Sequence, residues 1–268
     1  MTNTKYRLIP EDYKEIGDKI LYRIEALKDF NGMKAGSLGG YIESEDNLSR
    51  GGDAWVGGHA MVYGNARVGG NAMVYGNARV DGNAMVYGNA RVDGNAMVYG
   101  NAMVYGNARV DGNAMVDGYA RVDGYARVYG NAMVDGNARV RGNARAYGNA
   151  WVGDDAWVDG YAWVGDDARV GGRARVYGNA RVYGNARVRG YASWLTVGPI
   201  GSRDDFTTFF SGEDGIYVSC GCFYGSISEF EEAVEKTHAG TKHEKDYKLV
   251  IALAKSRIVT AEVNEDEV

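Results

Sequence analysis

The chain is poor in three residue types: its 268 residues include two cysteines, two prolines and three histidines. Two cysteines in so long a chain make no disulfide framework, and this points to the cytoplasm. No apolar run is long enough to cross a membrane as a helix. The start, Met1-Thr2-Asn3-Thr4-Lys5, leads into charged sequence rather than a signal peptide, so a soluble cytoplasmic protein without membrane contact is expected. Charge of one sign is also missing. Residues 54–193 carry 15 Arg and 11 Asp, residues 194–268 carry 7 basic and 14 acidic residues, and the net charge is −5. A mildly basic centre beside an acidic tail is not a general nucleic-acid binder.

Against these scarcities stands a regular abundance. From Ala54 to Ala192 an alanine falls on every sixth residue, 24 in all, and two places after nearly every one stands a valine. The unit reads Asn-Ala-Arg/Met-Val-Tyr/Asp-Gly, as in Asn77–Gly82. Six residues of an α-helix turn through roughly 600°, which scatters the alanines and leaves no apolar stripe. In an extended strand Ala78 and Val80 share one face and Arg79 takes the other. The Gly-Asn pair that follows is turn chemistry. Each hexad is therefore one short strand and one corner. So short a strand is stable only when coils stack on one another, as a β-solenoid.

The spacing of Val80-Asp81-Gly82-Asn83-Ala84-Met85, an aliphatic residue followed four places later by a small one, resembles the hexapeptide-repeat proteins. The resemblance implies a left-handed parallel β-helix with three hexads per coil, so a triangular solenoid of about eight regular coils, roughly 40 Å long at the ~4.8 Å strand spacing. The segments Gly39–Ser49 and Ser219–Phe223 look like a bacterial and phage group of such proteins, often labelled acetyltransferases without assigned activity. That label implies an acyl-CoA-dependent enzyme, and relatives of this kind are commonly homotrimers. Yet enzymes of the type use a histidine on a loop that interrupts the helix, and these hexads run without insertion. The only histidine among them, His59, occupies a corner place usually given to Asn. The three clustered histidines of a γ-class carbonic anhydrase are also missing. The expectation is a non-catalytic oligomeric scaffold, a phage or prophage accessory protein that binds a host partner or sequesters a small anionic ligand. An acyltransferase and a purely structural rod are the alternatives.

With 18 residues per coil, the outward position between Ala and Val decides what each face offers. Arg91, Arg109, Arg127 and Arg145 form a ladder on one face. It is read either as internally paired through Asp93 and Asp111, or as an anion or phosphate groove between subunits. Met97, Met115, Met133 and Trp151 form an apolar strip on a second face, the candidate interface. Threonine ladders, which would suggest ice binding, are missing. Asn77, Asn95, Asn113, Asn131 and Asn149 fall at one corner, where their amides can bond between coils. Near the end of the run Trp151, Trp157 and Trp163 ring one level, with Asp154-Asp155 and Asp166-Asp167 at two corners, where the glycine slips back one place.

Three segments follow from these boundaries: an N-terminal cap over 1–40, the solenoid over 41–197, and a C-terminal α+β domain over 198–268 with a disordered acidic tail. In the first, Ile20 to Leu27 alternates as a strand. Ile42 and Leu48 fall in the alanine phase of the hexads. In the third, Phe206–Phe210 and Ile216–Cys220 read as a hairpin, with Trp194–Val197 closing the solenoid and 198–202 a link. Ser228 caps a helix through Lys236, with Glu231 completing its capping box, and a second helix runs from Glu244 to Ile258. Cys220 and Cys222 on one strand face, with His238 and His243 flanking the interhelical turn, make a candidate zinc set by residue type. No other cofactor is expected.

Overall fold

The two residues after each alanine form a strand, and the four that follow turn the chain to the next face. The computed structural model describes residues 3–190, 193–212 and 215–258. Ala192, the turn residues Glu213 and Asp214, and the acidic tail beyond Ile258 lie outside them. The chain opens with strands β1 (Tyr6–Ile16), β2 (Lys19–Ala26) and β3 (Leu38–Ile42). It continues with two-residue strands from β4 (Trp55–Val56) to β26 (Arg187–Val188), one per hexad. Every third strand pairs in parallel, so the solenoid has three faces and about eight coils.

Coil stacking satisfies the backbone. The N–H of Arg109 donates to Ala126 O (2.9 Å), that of Asp111 to Val128 O (3.0 Å) and that of Asn113 to Gly130 O (2.7 Å), while Ala114 N–H turns back to Asp111 O across the corner (3.3 Å). The corner glycine is required twice over. Gly112 has φ +68°, and a Cβ there would meet Gly130 O at 2.9 Å. Inside, the alanines and valines form one continuous buried column. Alanine keeps the core narrow where a corner ends, and valine fills the wall between corners.

Side chains extend the stacking outward. Asn77 Nδ2 donates to Asn95 Oδ1 (3.1 Å), and the chain continues through Asn113, Asn131 and Asn149 at 3.0 Å each. It ends on the carboxylate of Asp167 (2.9 Å), an acceptor that needs no further donor.

Both ends of the column are covered. At the first end β1 and β2 pair antiparallel, β2 pairs antiparallel with β3, and β3 joins the solenoid in parallel beside β5 (Met61–Val62). This corrects the phase of the first turn. Ile42 pairs with Val62, and Leu48 bridges Val68, so both take the valine place and not the alanine place. Gly40 fills the alanine slot, where even a Cβ would approach Ala60 O to 2.5 Å. An isoleucine has no room there, and the two extra residues are absorbed in the loop before Ala54.

At the other end an antiparallel sheet, β27 (Trp194–Ile200), β28 (Asp205–Ser211), β29 (Ile216–Cys220) and β30 (Phe223–Ser226), lies under helices α1 (Ile227–His238) and α2 (Lys242–Arg257). Phe210 on β28 is fully buried in the solenoid core. The last coil's groups find partners there: Arg181 N–H donates to Thr208 Oγ1 (3.1 Å), and Ser211 Oγ donates to Arg187 O.

Three local expectations change. Residues 194–200 form one edge strand, so the expected link from Gly198 is strand as far as Ile200; Trp194 packs against the solenoid core as the closing segment. Helix α1 is capped by Ser226, not Ser228. Ser226 Oγ accepts from Glu229 N–H, and the Glu229 carboxylate accepts from Ser226 N–H (2.7 Å). Starting there buries Ile227, Phe230 and Val234. Cys222 is not on a strand: Cys220 pairs with Phe223, which leaves Gly221 and Cys222 as the two-residue turn.

Candidate functional site

The arginine ladder is real in its geometry. Arg91, Arg109, Arg127 and Arg145 stand in direct register on successive strands of one face. The first three are exposed and Arg145 is half-buried. Among the described residues no carboxylate lies within ion-pair distance of these four guanidiniums. Asp93 turns instead to its own corner and accepts from Gly94 N–H (2.7 Å). Burial lifts the Asp111 carboxyl above the ordinary carboxylate range and Asp93 adds to the lift, while Arg109 and Arg127 oppose it. The face is therefore not internally paired by Asp93 and Asp111. At the ~4.8 Å strand spacing, adjacent guanidiniums repel by about 1 kcal/mol in water.

The ladder lines a groove of about 430 Å³. Asn89, Asn107 and Asn143 form its corner wall with Tyr125 and Tyr161, and Trp163 closes one end. The Trp163 ring is held between Arg145 (4.7 Å) and Arg181 (5.5 Å) by cation–π contact. Tyr125 and Tyr161 are each 63% exposed. Sequence reasoning missed them, although a signal was present: both replace Asn at the corner before a strand of this face, Tyr125 before Arg127 and Tyr161 before Trp163, two coils apart.

On the second face Met97, Met115, Met133 and Trp151 are likewise in register, each half-buried. Trp151 Nε1 donates to Asp135 (2.9 Å). The glycines that slip back are explained here. A Cβ on Gly153 would strike the Trp151 ring at 2.0 Å, and one on Gly165 the Tyr147 ring at 2.3 Å. Asp154 and Asp166 take over the corners at φ +54°. Their carboxylates accept from Gly172 N–H (2.7 Å) and Gly184 N–H (3.3 Å) in the next coil. Asp155 accepts from Asn137 and Asp167 from Asn149, so all four are corner residues in use.

A larger cavity, about 760 Å³, lies where the third face meets the C-terminal sheet. Trp157, Tyr177, Trp194 and Phe206 supply aromatic wall, and Arg141 pairs with Asp159 at 2.7 Å. No sequence motif announces it, because its walls come from segments brought together only by the cap.

The four zinc candidates are not gathered. Cys220, Cys222 and His238 line a cavity of about 270 Å³, but Cys220 Sγ accepts from Thr207 Oγ1 (3.1 Å) and Cys222 is exposed. His243 stacks edge-on against His238, ring centroids 5.8 Å apart. Among the described residues no group of three or more His, Cys, Asp or Glu is placed to hold a metal ion.

A family model described as YdcK Beta solenoid repeat matches residues 66–82, 96–112, 126–142, 168–182, 174–190 and 180–193. No curated protein matches the chain. With the stacked coils, these matches make it a repeat β-solenoid protein.

Proposed function

We propose that the protein is a non-catalytic binding scaffold that holds an anionic ligand along its arginine face and assembles with copies of itself. The observation that carries this reading is the ladder of four in-register arginines with no carboxylate within pairing distance among the described residues. A rigid rod that holds like charges side by side stores repulsion that an anion relieves, and guanidinium forks suit carboxylate and phosphate oxygens. The half-buried strip from Met97 to Trp151 is the surface proposed for self-association, as a homotrimer, since Met and Trp are enriched at interfaces.

The test is calorimetric titration with tripolyphosphate, beside native mass spectrometry of protein purified from its own host. The wild type should bind tripolyphosphate. Arg109→Ala combined with Arg127→Ala should weaken binding by at least about tenfold, since each exposed charged contact is worth roughly 1 kcal/mol. Equal affinity in the double variant refutes the reading. A mass of one chain refutes the self-association.

A further inference from the structure

We propose that the ligand of the arginine groove is a linear acidic polysaccharide, with one carboxylate per sugar, laid along the axis of the rod. This rests on the anion-binding reading above and names the chemistry it serves. The first argument is period. Arg91, Arg109, Arg127 and Arg145 repeat once per coil on a stiff support. A compact anion spans two rungs at most. A polymer whose charged units advance by about one pyranose ring, close to the ~4.8 Å coil step, reaches all four. Single-stranded nucleic acid spaces its phosphates more widely than one coil step, so its charges fall out of phase with the ladder.

The second argument is what stands beside the charges. Tyr125 and Tyr161 present exposed rings at one corner, two coils apart. Flat aromatic faces with a polar edge suit the C–H faces of sugar rings. Beside them, one coil before Tyr125 and in the coil between the two rings, the side-chain amides of Asn107 and Asn143 are released for hydroxyls. Asn71 donates to Asn89 and Asn89 to Asn107 (3.3 Å), but the next residue in that column is Tyr125, so the chain of amides stops. Among the described residues Asn107 Nδ2 and the Asn143 amide have no hydrogen-bond partner within the protein. The column that runs on to Asp167 has no such break. Carboxylate forks, ring platforms and amide donors thus share one open trench.

The experiment is calorimetric titration of the full chain with galacturonate oligomers of one to six sugars, with neutral dextran oligomers and oligo-dT as controls. Affinity should rise by roughly a hundredfold or more from one sugar to four, because each added sugar binds at high effective concentration, and then level off. Tyr125→Asn with Tyr161→Asn restores the consensus corner residue, so the fold is kept. These variants should lose most of the gain with length yet still bind tripolyphosphate. A flat length series, equal binding of dextran, or tighter binding of oligo-dT at matched charge overturns the proposal. If tripolyphosphate binding sensitive to Arg109 and Arg127 persists beside a flat series, the polysaccharide fails and the anion scaffold stands. If neither probe binds, both fail.

Discussion

Adding one methyl group at a corner separates the two reasons for its glycine. Gly112 and Gly178 have nearly the same backbone, φ +68° and +69°. A Cβ on Gly178 meets nothing within 4 Å, whereas one on Gly112 meets Gly130 O at 2.9 Å and Gly130 N at 3.0 Å. Gly178→Ala therefore pays only for the left-handed conformation, about 1–2 kcal/mol. Gly112→Ala carries that strain and must also move a neighbouring coil by about half an ångström to restore ordinary contact at 3.4 Å. The adjacent bonds, Asn113 N–H to Gly130 O and Asp111 N–H to Val128 O, stretch with it. At about 1 kcal/mol per weakened bond, Gly112→Ala should cost about 3–4 kcal/mol. A rod of repeats need not unfold in one step, so thermal melting should be read together with amide exchange at Asp111 and Asn113. Exchange there should speed up in Gly112→Ala and stay unchanged in Gly178→Ala. Equal destabilisation by the two substitutions would mean that coil contact contributes nothing at the corner, and the stacking argument would fall.

The two caps carry further expectations. Lys5 is almost fully buried; burial lowers its pKa to about 8, with Lys28 lowering and Asp53 raising it. The native state thus holds its proton less well than the unfolded chain, so Lys5 itself contributes stability that grows from pH 8 to pH 10.5, by on the order of 3 kcal/mol at most. Burial raises the pKa of tyrosines such as Tyr6, Tyr63 and Tyr147, which works against stability at the upper end of this window. The quantity to measure is therefore the difference in denaturation midpoint between the wild type and Lys5→Met. It should shift in favour of the wild type as pH rises, and a difference that stays constant from pH 8 to pH 10.5 would refute the assignment. Phe210→Ala empties a fully buried place under the last coil and should cost about 3–5 kcal/mol. Hydrogen exchange should then quicken first at Arg181, whose N–H bonds to the cap; uniform quickening along the rod would contradict an end-capping role.

What could be read in advance was whatever repeats. The face membership of Arg91 or Met115 follows from counting in eighteens, because an uninterrupted hexad leaves no freedom of register. Reading failed where the count breaks. Ile42 and Leu48 lie twelve and six residues before Ala54, in the alanine phase, yet two extra loop residues move both to the valine place, and the count alone does not reveal that isoleucine has no room at a corner. Ser226 and Ser228 each precede a glutamate by three, so both spell a capping box, and the buried face of α1 selects the first. Tyr125 and Tyr161 were visible as departures from Asn, but their meaning depends on the groove that the stacked arginines create. The cavity at Trp157 and Trp194 needs the cap in place and has no local signature.

The coil step gives this protein something like a reading frame. Arg91 and Arg109 meet because they are 18 residues apart. Loss or gain of a whole coil would shorten or lengthen the rod by one rung and leave every face its own residues. Loss of a single hexad after Val110 would keep every corner, every alanine and every buried valine, so the core would be unharmed. Yet Arg127 and Arg145 would turn onto the neighbouring face, and the groove would be cut in half. Surface inheritance in such a molecule is thus far more sensitive to the length of an insertion or deletion than its stability is. Lineages that keep the ladder should differ in length by multiples of eighteen residues.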